Sequence, residues 1–457
     1  MGIKFRLGIL NFFQFFVWGA WLITFGNFWF GNKGWGGEDF GLVFSTMGIG
    51  SIFMPTLIGI IADRWINAEK IYGILQVLYG LVLFILPHSN HPNSFFYLML
   101  LAMFCYMPTI ALNNSISYAV LKQQGKDVVK EFPPIRVWGT IGFIAAMWIT
   151  NFSGSKASEL QFYFGGIAAV FLGIYAFTLP ACPPQKQINE NSSWTELLGL
   201  NAFKLFANYR MALFFVFSLL LGAALQLTNA YGDVFLSEFG RFPKYAKSFV
   251  VERSTIIMSI SQISETLFIL AIPYFLKKFG IKIVMLLSML AWFLRFGLFA
   301  YSDPLSGVWM IVLSCVVYGM AFDFFNISGS LFVETATDPK MRSSGQGMFM
   351  MMTNGFGAVF GSYFSGLAIE KFFTKKFTNA SELATYLQTT PDNEDFLKIL
   401  KNTFHVNLQN GQQLSDEVAL RDWQGIWIAF AGYALVIAVL FTILFKYKHQ
   451  EEGTRHS

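Results

Sequence analysis

What most limits this chain is where its charges are missing. Breaking the sequence at charged residues and at Pro, Gly and Asn clusters leaves apolar stretches near residues 7–29, 40–61, 70–87, 94–121, 134–152 and 160–181. Six more follow near 210–235, 254–275, 282–301, 305–333, 344–370 and 424–446. About 20 apolar residues in a helix cross the hydrocarbon core of a bilayer, and a backbone in lipid must satisfy its own hydrogen bonds, which an α-helix does. Composition agrees, with 54% of residues hydrophobic and 13% charged, against about 25% charged in a soluble domain. A soluble globule is excluded, and the expected fold is an all-α membrane protein with twelve transmembrane helices in two six-helix bundles. The bundles would be residues 1–181 and 210–457. A polar linker, 182–209, joins them, and its Ser193-Trp194-Thr195-Glu196 has the capping-box spacing that opens a short helix.

Charge also sets orientation. Eighteen of the 32 lysines and arginines fall at the termini and in the loops after the even-numbered stretches, and six in the short loops after the odd-numbered ones. The positive-inside rule then predicts both termini in the cytoplasm. The net charge of +5 reads as basic cytoplasmic loops, not nucleic-acid affinity, for which there is no soluble domain. The first stretch has no small-residue cleavage site and reads as an uncleaved span. Residues 372–422 form a long periplasmic loop, expected to be a solvated insertion with an amphipathic piece around 396–404. Cys105, Cys182 and Cys315 lie far apart with no CxxC pair, so neither a disulfide framework nor a zinc site is expected.

The two halves echo each other. Arg136-Val137-Trp138-Gly139 and Arg342-Ser343-Ser344-Gly345 open spans 5 and 11 at an offset of 206, and Asn114-Ser115 and Asn326-Ile327-Ser328 recur at an offset of 212. The bundles are therefore expected to be pseudo-symmetric. Duplicated six-helix units build many secondary transporters, with the substrate between the repeats near the bilayer midplane.

Ionisable residues inside spans carry the chemistry, because a charge at the bilayer centre costs about 2.5 to 3.5 kcal/mol even on insertion scales. Glu265 lies 12 residues from both Arg253 and Lys277, which at 1.5 Å per residue places it about 18 Å from either helix end. Gln262 shares its face. Gln226 and Asn229 repeat the spacing in span 7, and Phe322, Asp323 and Asn326 fall at similar depth in span 10. From the first half, Arg136, Thr140 and Phe143 share a face of span 5. Each polar residue alone reads equally well as interhelical hydrogen bonding, but together they read as the lining of a polar cavity. Arg295 is expected to pair with an acid or a carbonyl at the periphery, and Gln14, Trp18 and Trp21 share a face that reads as packing. All five histidines lie in loops or the tail, which removes histidine as an intramembrane proton carrier. No phosphate-binding loop, His-Glu-x-x-His or Gly-x-Ser-x-Gly occurs, so ATP hydrolysis through a P-loop and the main intramembrane enzymes are not expected, and no cofactor or metal is implied. Two cations would serve an anionic substrate poorly, which favours a neutral polar solute.

The loop after span 2 reads Gly59-Ile60-Ile61-Ala62-Asp63-Arg64, and here the chain resembles the major facilitator superfamily, in which the residues matching Asp63 and Arg64 hold the cytoplasmic gate. The strings Phe132-Pro133-Pro134-Ile135-Arg136-Val137-Trp138-Gly139-Thr140-Ile141-Gly142-Phe143, Gln262-Ile263-Ser264-Glu265-Thr266, Ala321-Phe322-Asp323-Phe324-Phe325-Asn326 and Gln346-Gly347-Met348-Phe349 resemble the bacterial nucleoside:proton symporter family within it. The resemblance implies proton-driven nucleoside uptake across the inner membrane without a protein partner. It also implies that the nucleoside is held at Arg136, Thr140, Phe143, Gln226, Asn229, Gln262, Glu265, Phe322 and Asp323. Glu265 or Asp323 would carry the proton, with Arg136 as switching partner. The residues alone leave open a facilitator for a sugar or other neutral metabolite, and a membrane nucleoside sensor that does not transport.

Overall fold

The computed structural model describes residues 2–184, 200–338, 341–409 and 412–446. The capping box at 193–196 lies outside the described residues. In the first half the helices are α1 (Ile3–Gly19, continued by short helical turns to Asn32), α2 (Gly37–Arg64), α3 (Ala68–Ile85), α4 (Pro92–Gln123), α5 (Val128–Phe152) and α6 (Leu160–Ala176). In the second half they are α7 (Tyr209–Glu238), α8 (254–279), α9 (281–300), α10 (Val308–Ala336), α11 (Arg342–Met350, a π-helical turn Met351–Gly357, then Ala358–Phe373) and α12 (Trp423–Leu444). Among the described residues, eight helical segments are long and apolar enough to cross a membrane. One of them, Ser254–Ala300, is two spans folded at Gly280, whose φ of 72° suits a residue without Cβ. The interrupted helices α1 and α11 and the short α6 complete twelve.

Elements α1 to α6 pack chiefly on one another, as do α7 to α12, and the halves meet through α2 against α11 and α5 against α8. The α2 and α11 backbones approach so closely that a Cβ on Gly48 would sit 2.6 Å from the Gly355 carbonyl. Gly357 and Gly361 of α11 do the same against α7, the close helix packing that small residues permit. The linker residues that are described form a 3₁₀ helix, Leu200–Ala207, and Asn208 then caps α7 by accepting from the amides of Arg210 and Met211 at 3.0 and 3.3 Å.

Residues 374–421 correct one expectation, since this segment is not a solvated loop. Strands β1 (Thr374–Asn379), β2 (Leu408–Gln409) and β3 (Gln413–Arg421) form an antiparallel sheet in the order β1-β3-β2. Helices Ala380–Tyr386 and Glu394–Asn402 pack on it, capped by Asn379 and Asn393. Leu414, Val418 and Leu420 of β3 turn inward to meet Phe377, Leu383, Phe396 and Leu400 in an apolar core of their own. The amphipathic piece is real, and its apolar face is what closes this core. The subdomain grows out of α11 and returns into α12, so it is built onto the second half.

Candidate functional site

The first half contributes one wall of the site through α5. Arg136 rests its guanidinium 4.0 Å over the Phe15 ring of α1, a cation–π contact that holds a charge where water is scarce. One turn and two turns on, Thr140 and Phe143 follow on the same face. Phe143 is buried, and Trp18 meets it edge-on with ring centroids 6.4 Å apart.

The second half contributes three helices. Glu265 of α8 interacts electrostatically with Arg136 across the interface and with Asp323 of α10 within its own half, so the charges of the three groups are linked from one half into the other. Asp323 is 4% exposed and its Oδ2 has no hydrogen-bond partner. Gln226 is buried on α7, with Asn229 half-buried one turn further. Among the described residues, the side chains of Thr140, Gln226, Asn229 and Glu265 make no hydrogen bond to protein. Gln226 and Asn229 are thus on the expected helix but bonded to none of the other candidates. Of the nine residues only Phe322 lines the small cavity of about 20 Å³ between α7, α9, α10 and the π turn of α11.

Sequence reasoning missed Tyr318. Its ring stacks on Phe322 at 6.0 Å with a 6° interplanar angle, and its hydroxyl lies within hydrogen-bonding reach of Gln262. The i, i+4 aromatic pair on α10 was a signal for it. Arg295 has the expected carbonyl partner, Ser314, at 2.7 Å. It is not peripheral, however, being fully buried with its guanidinium 4.7 Å over Tyr318. Gln14 and Trp21 pack as expected. Gln14 donates to Thr109 at 3.0 Å and accepts from Tyr72 at 2.5 Å and Gln76 at 2.9 Å, and Trp21 donates to Tyr79 at 2.8 Å.

The two ends of the molecule differ. On the subdomain side the halves are bonded together. Asn27 donates to Asp233, the Gly37 amide to Glu370 at 3.0 Å, Trp148 to Ser259 at 2.9 Å, and Lys156 to the Val251 carbonyl at 2.6 Å and Ser254 at 3.0 Å. Burial holds the Lys156 ammonium below the usual lysine pKa, and the charge on Asp233 opposes that shift. On the basic-loop side, among the described residues, no side-chain hydrogen bond or ion pair crosses between halves. Lys4–Glu131 at 2.5 Å and Arg342–Glu334 at 2.8 Å each stay within one. The motif residues Gly59, Asp63 and Arg64 close α2 on this side. Asp63 is exposed and, among the described residues, makes no hydrogen bond or ion pair, and a Cβ on Gly59 would meet open space. Among the described residues, side-chain bonds thus tie the halves together on the subdomain side and not on the other.

Comparison with known proteins places this geometry in context. A family model described as "Nucleoside H+ symporter" matches residues 1–390. The nucleoside permease NupG of Escherichia coli (strain K12) is 47% identical over 450 residues, covering 98% of this chain and 97% of the permease. The xanthosine permease of the same organism is 44% identical over 457 residues, covering 100% of this chain and 99% of that one. The crystal structure of the nucleoside transporter NupG superimposes with a TM-score of 0.83 at 46% identity, over 98% of this chain and 100% of that chain.

Proposed function

The chain belongs to the nucleoside H+ symporter family, a multi-pass membrane transporter and not an enzyme, and on that premise we propose which residues carry the nucleoside and the proton. Arg136, Thr140 and Phe143 hold the nucleoside from one half, and Gln226, Asn229, Gln262, Glu265, Phe322 and Asp323 from the other. What supports this reading is the electrostatic link of Arg136 to Glu265 across the interface and of Glu265 to Asp323, together with the amides of Gln226 and Asn229, which have no protein partner among the described residues. Amide side chains pair bidentately with a base edge and aromatic faces stack on a base, while carboxylates accept from ribose hydroxyls. Glu265 or Asp323 takes a proton on the outer side, and Arg136 competes for the carboxylate once the proton leaves.

The halves 1–181 and 210–457 rock about this site, exposing it to one side at a time. Side-chain bonds between the halves on the subdomain side and not, among the described residues, on the basic side correspond to a state open inward. The basic-loop side is therefore assigned to the cytoplasm with both termini, and the membrane to the bacterial inner membrane. In this state the Gly59, Asp63 and Arg64 gate is disengaged, and it closes when the molecule turns outward.

The test is counterflow and uptake of labelled uridine and adenosine by the purified chain in proteoliposomes, with and without an inward proton gradient. Uptake above equilibrium that requires the gradient is expected, with competition by unlabelled nucleosides and not by free ribose. Equal competition by ribose would make it a sugar facilitator, and saturable binding without counterflow would make it a sensor.

A further inference from the structure

The family activity gives no role to the folded subdomain 374–421. It is rooted in the second half. Arg421, at the end of β3, forms an ion pair with Glu238 of α7. Trp423 donates to the same carboxylate at 2.8 Å, and Arg241 donates to the Ala419 carbonyl at 3.2 Å while lying 5.4 Å over the Phe404 ring. The pairing of Thr374 with Arg421 ties the strand leaving α11 to the strand entering α12, so the subdomain must travel with its own half. Towards the other half it overhangs a cavity of about 430 Å³, lined by Asn27, Phe30 and Lys156 below and by Lys398 and Asn402 of the helix Glu394–Asn402 above. It reaches across that gap where the guanidinium of Arg421 lies 3.6 Å over the ring of Phe30. The Arg421 side chain is 7% exposed, so this cation sits on the ring with little water to compete.

We propose that the subdomain is a strap over the outer mouth, and that Arg421 on Phe30 latches the transporter in its outward-closed state. Glu238 orients Arg421 from the second half, and Phe30 receives it from the first. Rocking to the outward-facing state parts the ring from the guanidinium while the Glu238 pair and the subdomain move away together. The latch adds to the contacts of Lys156 and Asn27 beneath it, and its position at the rim makes it the first to part.

The test reads which side is open. Val234 lines the outer cavity and is 1% exposed, so Val234→Cys reacts with a membrane-impermeant maleimide added outside only when the outer face opens. The native cysteines are all buried, and the chain without Val234→Cys supplies the background rate. Phe30→Leu keeps an apolar contact and removes the π face. Arg421→Gln removes the charge and leaves Glu238 its bonds to Arg241 at 3.2 Å and Trp423, so neither variant strands a buried group. Each is expected to raise labelling roughly tenfold. The double variant should label no faster than the faster single one, because both remove the same contact. Unchanged labelling in either single variant, or additive effects in the double, overturns the proposal. No nucleoside is needed, so failure here leaves the substrate assignment standing.

Discussion

The two halves treat buried polarity in opposite ways. In the first, Gln14, Tyr72, Gln76, Thr109, Asn11, Asn113 and Ser117 are all fully buried and all uncharged. They bond one another across α1, α3 and α4, for example Asn113 to Asn11 at 2.8 Å and Gln76 to Thr109 at 3.1 Å. In the second half the buried polar groups include Arg295, Asp233 and Asp323, and both Asp323 Oδ2 and two guanidinium nitrogens of Arg295 lack partners. In the first-half network every side-chain donor has a partner, while the carbonyl oxygens of Gln76 and Asn113 accept from none, and a neutral network bonded in this way resists change. A carboxylate left short of partners in a membrane is costly, and that cost is offset when a proton or a polar solute arrives. The first half is thus a rigid wall that brings Arg136 to Glu265, and the second half is where occupancy changes.

The largest effect should come from the acids of the second half. Glu265→Gln and Asp323→Asn keep the shape and the hydrogen-bonding reach but remove the site of protonation. One pH unit of gradient corresponds to about tenfold accumulation for one coupled proton. In proteoliposomes each variant should bring that ratio down to about one while the parent accumulates. Accumulation at the parent level in both variants would mean that neither carboxylate carries the proton.

The same contrast explains what the sequence could show. All twelve spans were legible, because a run of apolar residues must be a helix in lipid whatever its neighbours are. Their ends were less so. The spacing predicts α5 from residue 134, but the helix starts at Val128. Pro133 and Pro134 sit within its first two turns, where the carbonyls they leave unpaired are near the helix end and accessible to water. The subdomain was hidden because its strands are short and its core is assembled from five separate pieces of a polar segment. Within the spans, Gln14 and Gln226 are the same residue type in the same kind of helix. One is tied into a network and the other has no protein partner, because the difference lies in Tyr72, Gln76 and Thr109 on other helices. Arg295 was visible as a charge that needed a partner, but a backbone carbonyl as that partner has no sequence signal.

If the wall is rigid because its amide donors are satisfied, removing one acceptor there should cost stability and nothing else. Thr109 accepts from Gln14 at 3.0 Å, the one bond that Gln14 Nε2 donates among the described residues. Thr109→Val strands that donor in a dry interior, at about 2 kcal/mol. Thermal unfolding in detergent should show the loss while the apparent KM for uridine stays where it was. A change in KM would show that the network reaches the site.

Arg136, the cation that the wall turns towards Glu265, should behave differently. Arg136→Lys keeps the charge facing Glu265 but loses the planar face that lies on Phe15. About a tenfold rise in apparent KM is expected, corresponding to about 1.4 kcal/mol, with thermal stability near that of the parent. The opposite pattern, an unstable protein with normal KM, would make Arg136 a helix-end residue of structural use only.

The smallest effect is expected from the counterpart of Thr109 in the second half. Ser314 donates to the Arg295 carbonyl at 3.0 Å, while the Arg295 guanidinium is held by the Ser314 backbone carbonyl at 2.7 Å. Ser314→Ala removes the hydroxyl and leaves the guanidinium its partner, so the loss should be about 1 kcal/mol, less than for Thr109→Val. Arg295 lies over Tyr318, and Tyr318 stacks on Phe322, so any displacement of the guanidinium would also be read as a change in nucleoside KM. A small loss of melting temperature with unchanged KM is therefore the outcome that keeps the halves distinct. A cost equal to that of Thr109→Val would mean that the second half is also held by its neutral hydroxyls, and that its buried charges are not what sets it apart.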